Sequence, residues 1–373
     1  MTIDPAAPAS ASASALHIET PLVHSSILSK RTGHNVYLKL DSAQPSGSFK
    51  IRGIGRISAL SLSRYGREGM HLVCSSGGNA GLATAHAART LGVPCTIFVP
   101  TSTEGAIVDT LRRQYGAEVV VEGAVWNDAD TEARRFVEAQ EGRVYIHPFD
   151  GAELVRGHAT LVREVYDQMP RGEDVDAIIC AVGGGGLVGG ILHALSSSSS
   201  SPSSSAAKTR VITTQCFETD SFTRSLLSRP AQHVTLDEIR SKATSMGTRT
   251  CSASHLDAAR RYGHVTPVRV DDDLAASAVW QFYRDHGVLV ELSCGAALAP
   301  VYFPQRILST ALAYGEQDEV VVRGAPPPRP ARKNVVVVVC GGSKIDAEMV
   351  KRYEEQTGDM DGRGRADVDG VPV

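Results

Sequence analysis

Short apolar runs alternate along the chain with amphipathic stretches of helical length, and glycine-rich turns join them. The apolar run at 71–75 leads through such a turn to a helix-like segment at 82–91 and a second run at 95–99. A further helical stretch at 103–115 precedes a run at 118–121. This alternation predicts a parallel sheet with helices on both faces.

A second series begins at 176–182, which is almost wholly apolar, as a strand buried on both faces should be. Four glycines follow it and a helix is predicted to residue 195. Further buried strands are predicted at 211–214 and 335–339, and a helix at 272–286. The fold class predicted from both series is α/β.

Composition narrows the functional classes. The chain has 373 residues, of which 42% are hydrophobic and 21% charged, as in ordinary globular proteins of two domains. A net charge of −3 without a basic stripe argues against a nucleic-acid partner. Apolar runs fall short of the roughly 18 residues of a membrane span. The seven cysteines are odd in number and widely spaced, which indicates a reducing, cytoplasmic compartment.

Four segments are predicted to lie outside the packed core. Residues 1–15 are rich in Ala, Ser and Pro and are expected to form a disordered leader. The serine-rich segment 196–205 and the proline-rich segment 324–330 are expected to be surface loops. The acidic, glycine-bearing segment 351–373 is expected to be a flexible tail.

Lys50 is the first candidate for chemistry. It follows a tight Pro-Ser-Gly-Ser turn, which comes after the strand-like run 36–40. A lysine that such a turn directs inward loses hydration, its pKa falls, and its amine becomes a nucleophile or Schiff-base former. The alternative interpretation is an ordinary surface lysine.

The four glycines at 183–186 join a buried strand to a helix, an arrangement that cradles phosphate groups. The acidic residue of a dinucleotide site is missing, because the next strand leads into Gln215. No Gly-Lys-Ser/Thr follows the glycines either, so a nucleotide-binding P-loop is excluded. Two interpretations of the four glycines remain: they bind a phosphate on a smaller molecule, or they form a simple turn.

Two further segments are candidates for ligand contacts. The loop 75–81 opens a helix with Ser, Gly and Asn residues, which suits a carboxylate, although N-capping alone explains the same residues. Cys340 ends the last apolar strand, where ligands of parallel sheets bind, or it is a plain core cysteine.

These segments together resemble the four signatures of fold-type II pyridoxal-phosphate enzymes, most closely the eukaryotic L-serine dehydratase (L-serine/L-threonine ammonia-lyase) family. They occur in the family's order, as Ser46-Gly-Ser-Phe-Lys-Ile-Arg-Gly53, Ser75-Ser-Gly-Gly-Asn-Ala-Gly81, Val182-Gly-Gly-Gly-Gly-Leu187 and Val339-Cys-Gly-Gly-Ser343. The resemblance implies a two-domain fold similar to tryptophan synthase β, with parallel sheets flanked by helices. The large domain would comprise 16–50 and 152–350, the small domain 51–151, and the enzyme would be a homodimer.

The resemblance also implies roles for individual residues. Lys50 would be the catalytic residue and would hold pyridoxal 5'-phosphate covalently. The cofactor would further contact Phe49, Asn79, Gly183, Gly184, Gly185, Gly186, Leu187 and Cys340. The substrate carboxylate would contact Ser76, Gly77, Asn79 and Ala80, with Gly77 giving extra room near the substrate's β-carbon.

The activity that the resemblance implies is elimination of water from L-serine, giving pyruvate and ammonia, with weaker conversion of L-threonine to 2-oxobutanoate. Lys50 would remove the α-proton as general base. A place in amino-acid metabolism and gluconeogenesis is implied as well. The alternatives are a racemase, a D-serine ammonia-lyase, a β-replacement synthase, or a cofactor-binding protein with little catalysis.

The resemblance also implies a binding site for a monovalent cation, K⁺. Its ligands would be Gly183, Gln215, Thr219, Ser221, Met246 and Thr248. Relatives usually carry a glutamate at the position of Gln215, so the charge of one ligand is missing here. Ser245 departs from the usual apolar residue in the wall that faces the cofactor.

Overall fold

The computed structural model describes residues 15–198, 209–314, 331–358, 360 and 363–373. Residues 1–14 of the predicted leader, residues 199–205 of the serine-rich segment and the proline-rich segment lie outside the described residues.

The described residues form β-strands and α-helices that alternate through most of the chain. The strands are β1 Leu22–His24, β2 Asn35–Lys39, β3 His71–Cys74, β4 Cys95–Val99, β5 Glu118–Val121, β6 Arg143–Tyr145, β7 Ala177–Ala181, β8 Arg210–Cys216, β9 Val265–Val270, β10 Asn334–Val338, β11 Ala366–Val368 and β12 Val371–Pro372. The helices are α1 Ser26–Thr32, α2 Lys50–Gly69, α3 Asn79–Leu91, α4 Gly105–Asp109, α5 Trp126–Glu138, α6 Ala152–Gln168, α7 Gly186–Ser198, α8 Ser221–Leu227, α9 Ala253–Tyr262, α10 Asp272–His286, α11 Leu292–Tyr302, α12 Leu308–Ala313 and α13 Ala347–Thr357.

The larger sheet has the strand order β1-β2-β10-β7-β8-β9-β11-β12. Its central strands, β2, β10, β7, β8 and β9, are parallel, and antiparallel strands close both edges. The side chains of Val335 to Val339 have no exposed surface, because helices cover both faces of the sheet. The α/β prediction is confirmed.

The smaller sheet has the order β5-β4-β3-β6, and all of its strands are parallel. Its strands lie between residues 71 and 145, within the segment predicted to form the small domain. A separate apolar core, which includes Leu72, Ile97 and Leu111, packs against it. Each sheet therefore has its own core, and the strand ends of both sheets carry the loops that the sequence singles out.

The described part of the segment 351–373, which was predicted to be a flexible tail, contains regular secondary structure. Helix α13 continues to Thr357, and β11 pairs with β9. The guanidinium of Arg306 donates hydrogen bonds to the carbonyl oxygens of Gly364 and Val373, at 2.9 and 2.8 Å. The three-residue strand is too short for its sequence pattern to be recognised, and the free edge of β9 specifies it instead.

None of the described helices combines the length and the apolar character that crossing a membrane requires.

A buried charge cluster joins the start of α2 to the larger sheet. The Arg52 guanidinium binds Asp41 in bidentate fashion, with Nε–Oδ2 and Nη2–Oδ1 distances of 2.7 and 2.8 Å, and Glu164 at 2.6 and 2.8 Å. Lys39 Nζ lies 2.7 Å from the Glu164 carboxylate and donates to the carbonyl oxygen of Thr20 at 2.6 Å. Lys39, Asp41, Arg52 and Glu164, called the Arg52 cluster below, thus contain two cations and two anions.

The contacts within the Arg52 cluster explain whether the pKa of each member is raised or lowered. Burial opposes the charged form of Arg52, but its hydrogen bonds to Asp41 and Glu164 raise the pKa of the guanidinium overall. Burial likewise opposes ionisation of Glu164, and hydrogen bonds from Arg52 and Lys39 lower its pKa overall. Burial lowers the pKa of Lys39, and its contact with Glu164 offsets part of that decrease.

We expect Arg52→Met to reduce the free energy of unfolding by about 3–5 kcal/mol, because two buried carboxylates lose their counter-charge. Arg56→Met is the matched control, since Arg56 pairs with Glu153 at an exposed position. That control should cost at most about 1 kcal/mol. Urea unfolding of both variants measures the difference, and equal losses would contradict the role assigned to the Arg52 cluster.

Candidate active site

Lys50 is the first residue of α2, and its amine faces the segment that follows β6. Its Nζ donates a hydrogen bond to the carbonyl oxygen of Pro148 at 2.6 Å. Burial lowers the pKa of Lys50 to about 8, against smaller opposing effects of Cys74 and Cys340. A substantial fraction of the amine is therefore neutral near physiological pH, as a nucleophile or general base requires.

Phe49 connects Lys50 to the end of β10. Its backbone N–H donates to the carbonyl oxygen of Cys340 at 3.2 Å. Its ring packs against the imidazole of His158, with 5.1 Å between ring centroids. The structure thus brings together Lys50 and Cys340, which are 290 positions apart in the sequence.

The glycine loop 183–186 connects β7 to α7 and has no space for side chains. A Cβ atom on Gly184 would lie 2.2 Å from the ring of Phe149, and one on Gly186 would lie 2.8 Å from the Phe149 carbonyl oxygen. Gly185 has a φ of 97°. Because the first N–H groups of α7 have no acceptor within the helix, the loop and Leu187 present donors to an anion.

The loop 75–81 opens α3 in the same way, with Asn79 as the first helical residue and Ala80 buried behind it. The hydroxyl of Ser76 accepts a hydrogen bond from the Gly78 N–H at 3.3 Å. A Cβ on Gly77 would lie 2.7 Å from the Thr103 side chain. The absent side chain at Gly77 therefore leaves space for Thr103, and the expectation that it enlarges the substrate site is not supported.

The side chain of Asn79 links α3 to two distant segments, the start of α11 and the loop after β10. Its Nδ2 donates to the Glu291 carboxylate at 3.1 and 3.2 Å, and its Oδ1 accepts from the Ser343 N–H at 3.1 Å. Ser245 Oγ lies 3.5 Å from the same Nδ2. Glu291 also accepts from the Lys344 N–H at 2.8 Å. Sequence reasoning did not assign Glu291 to the site, and its only signal is an acidic residue directly before an apolar helix.

Cys340 is a buried, neutral thiol. A hydrogen bond with Cys294 and burial together raise the pKa of the Cys340 thiol well above its usual range, and the nearby Glu291 adds to the effect. A thiol in this state donates a weak hydrogen bond and carries no charge.

The residues predicted to bind a cation lie together beneath the glycine loop, but Gln215 is not oriented as a ligand. Its Nε2 donates to the carbonyl oxygens of Val182 and Thr219, at 3.0 and 2.8 Å. Its Oε1 accepts from the Thr223 N–H at 2.9 Å. The hydroxyl of Ser221 donates to the Thr248 carbonyl oxygen at 3.4 Å.

The family described as "Pyridoxal-phosphate dependent enzyme" matches residues 13–323 of the chain. The chain belongs to this family. The "L-serine dehydratase/L-threonine deaminase" of Bos taurus is 39% identical over 347 residues, which cover 93% of this chain and 97% of that protein. Its Homo sapiens counterpart is 37% identical over 344 residues, with 92% and 96% covered. A crystal structure of a fungal L-serine ammonia-lyase from Rhizomucor miehei superposes with a TM-score of 0.75 at 32% identity, covering 92% and 99% of the two chains.

The site of this pyridoxal-phosphate-dependent enzyme fits its cofactor in three respects. The glycine loop offers N–H donors where any Cβ on Gly184 would meet Phe149. Lys50 supplies an amine whose pKa is lowered to about 8. Cys340 supplies a neutral group beside Phe49. We infer that Lys50 and the glycine loop hold the aldehyde and phosphate ends of the cofactor, respectively.

A partly buried polar network, which the sequence did not reveal, anchors the loop 75–81. Ser75 is fully buried, and its hydroxyl donates to Asp130 Oδ1 at 2.6 Å and lies 2.9 Å from the Tyr145 hydroxyl. Tyr145 also donates to Asp130, and Arg134 Nε donates to Asp130 Oδ2 at 2.8 Å. Burial opposes ionisation of Asp130, but these hydrogen bonds lower its pKa overall. Asp130 therefore fixes the start of the loop by a charge-assisted hydrogen bond.

We expect Asp130→Asn to raise the KM for the amino-acid substrate about tenfold, which corresponds to about 1.4 kcal/mol, while kcat changes little. The reason is that Asp130 binds Ser75 at the start of the loop 75–81, which is expected to hold the substrate carboxylate. Glu132→Gln, on the same helix but in an exposed pair with Arg135, should leave KM unchanged. A fall in kcat at constant KM would contradict this assignment.

The pKa of Lys50 predicts two pH dependences of the cofactor-free protein. Uptake of pyridoxal phosphate, followed by the absorbance of bound cofactor, should accelerate with pH with a midpoint of about 8, because the neutral amine reacts. The unfolded chain, with a lysine pKa of 10.5, binds more protons than the folded one between these values. Lys50 should therefore contribute a rise in stability over this window, opposed by buried cysteines whose raised pKa values contribute a fall. The natural sequence should gain stability relative to Lys50→Met as the pH rises through the window, and a difference that does not change with pH would contradict the assignment.

Proposed function

We propose that the protein is an L-serine ammonia-lyase that converts L-serine to pyruvate and ammonia, and L-threonine more slowly to 2-oxobutanoate. The observation that carries the proposal is Lys50, whose pKa is lowered to about 8 and whose amine donates to the Pro148 carbonyl oxygen, next to the Phe149 that lies against the glycine loop. The names of the mammalian and fungal relatives support the same activity.

The bound cofactor supplies an electron sink for the α-carbon. Lys50 is suited to act as the general base there, since a pKa of about 8 leaves its amine partly neutral and still basic. Burial of the Lys50 amine also limits competing protonation by water. The hydrogen bond to the Pro148 carbonyl oxygen orients the amine.

Cys340 favours elimination over the alternative reactions. Its thiol is neutral, because the hydrogen bond with Cys294 and burial raise its pKa well above the usual range. Next to the pyridine nitrogen of the bound cofactor, such a thiol would supply no charge to hold a proton there, so the cofactor would be a weaker electron sink. A weaker sink would favour elimination over the reprotonation that a racemase or a transaminating enzyme requires.

Ser76, Gly77, Asn79 and Ala80 are the residues that we assign to the substrate carboxylate, at the N-terminus of α3. The Thr103 side chain fills the space beside Gly77. This glycine therefore gives no reason to expect that the site accepts the larger side chain of L-threonine. Support for threonine as a second substrate comes from the names of the relatives alone.

We also propose that the enzyme is a cytoplasmic homodimer whose product enters amino-acid metabolism and gluconeogenesis. The family resemblance supports the dimer and the pathway. The seven cysteines, all buried and unpaired, support a reducing compartment. Light scattering of the purified protein measures its oligomeric state.

Purified protein with pyridoxal phosphate should release pyruvate and ammonia from L-serine. Lys50→Ala should lose the activity together with the absorbance of covalently bound cofactor, because it removes the attachment point and the base. Lys30→Ala, at an exposed position on α1, should retain both.

Two outcomes would overturn the proposal. D-serine as product, or release of ammonia from D-serine only, would indicate one of the other reactions of this fold. Bound cofactor without turnover of any amino acid would indicate a binding protein.

A further inference from the structure

Gln215 is a fully buried polar residue at the end of β8, directly below the glycine loop. Its amide group has three hydrogen bonds, all to the backbone. The acceptors of its Nε2 are the carbonyl oxygens of Val182 and Thr219, which are buried as well. Val182 is the residue before the first glycine of the loop, so this amide connects β8 directly to the phosphate-binding segment.

The partners determine which end of the amide faces the carbonyl oxygens. Val182 and Thr219 present carbonyl oxygens, which only accept hydrogen bonds, and Thr223 presents an N–H, which only donates. The reversed amide would place an oxygen against two oxygens and a nitrogen against an N–H group. The nitrogen of Gln215 therefore points into the space between the carbonyl oxygens of Val182 and Thr219.

The other residues predicted to bind the cation present oxygen atoms next to one another and to the glycine loop. The hydroxyl of Ser221 and the carbonyl oxygen of Thr248 are in contact, at 3.4 Å, and the carbonyl oxygen of Met246 accepts from the Thr248 N–H at 2.8 Å. A Cβ on Gly183 would lie 3.2 Å from this Met246 oxygen, so the group adjoins the glycine loop. The carbonyl oxygens of Val182 and Thr219 would repel one another without a donor or a cation between them, and the Gln215 nitrogen supplies that donor.

Gln215 therefore presents a nitrogen donor, and not an oxygen ligand, where the cation is expected. For this reason the residues present do not fit that cation. We propose that the Gln215 amide nitrogen replaces a monovalent cation beneath the glycine loop, so that the loop is held in place without K⁺. The two N–H groups supply the positive end of a dipole to both carbonyl oxygens, which is the electrostatic role of a bound cation.

The proposal predicts that a single substitution makes the protein dependent on K⁺. Gln215→Glu replaces the nitrogen by an anionic oxygen, 2.8 to 3.0 Å from two carbonyl oxygens. That arrangement is repulsive unless a cation lies between the oxygens, and carboxylate and carbonyl oxygens are ligands that hard cations prefer. The variant should depend on K⁺ where the natural sequence does not.

The experiment measures the melting temperature of the cofactor-loaded protein in K⁺, Na⁺ or tetramethylammonium chloride at equal ionic strength. The natural sequence should melt at the same temperature in all three salts. Gln215→Glu should melt lower in tetramethylammonium and recover by about 3 °C or more in K⁺, as expected for a ligand that binds the folded state. Gln215→Met keeps the length of the side chain but has no donor or charge, so it should be destabilised and indifferent to K⁺.

Retention of cofactor on dialysis is the second measurement, because the Gln215 amide supports the phosphate loop. Gln215→Glu should lose pyridoxal phosphate at least about tenfold faster without K⁺ than with it. Stabilisation of the natural sequence by K⁺, or a Gln215→Glu variant that ignores K⁺, would overturn the proposal.

The inference concerns the site of the proposed ammonia-lyase, but melting and cofactor retention require no turnover. If L-serine is not a substrate, the proposed function fails while these measurements still decide the role of Gln215. If L-serine is a substrate, its turnover by the natural sequence should be the same in K⁺ and tetramethylammonium.

Discussion

The bidentate ion pair between Arg52 and Asp41 is the constraint on which the active site depends. Arg52 lies two residues after Lys50 on α2, so the contacts that fix Arg52 also fix where the reactive amine begins. Glu164 on α6 and Lys39 on β2 complete the charge balance. Removing four charges from water is costly, and hydrogen bonds to nearly every polar atom offset that cost. The Arg52 cluster fixes the positions of α2 and α6 relative to the larger sheet.

The same low-polarity environment sets the chemistry of the site. Burial lowers the pKa of Lys50 to about 8 and, with the Cys294 hydrogen bond, raises the pKa of Cys340. Cys340 is therefore neutral and Lys50 is partly neutral, and Gln215 presents an amide where an ion is expected. Few protein charges would then face the cofactor, and backbone N–H groups and helix N-termini would provide most of its binding.

Most of the fold and the main site residues could be predicted because their signals are local. Val335 to Val339 are an uninterrupted apolar run, and the four glycines mark the turn between β7 and α7. The parts that were missed depend on partners far apart in sequence. Ser75 meets Asp130 across 55 positions, and Asn79 meets Glu291 across 212. No local pattern identifies such pairs, since each residue alone reads as an ordinary surface or capping group.

Asn79 shows how these distant contacts bear on function. Its Nδ2 is already bound to the Glu291 carboxylate, and its Oδ1 to the Ser343 N–H. A substrate carboxylate or a cofactor oxygen that uses this side chain must share it with these partners or replace one of them. Glu291 and Ser343 flank Cys340, through the start of α11 and the loop after β10. Ligand binding at the loop 75–81 is therefore coupled, through one amide, to the groups that surround the neutral thiol.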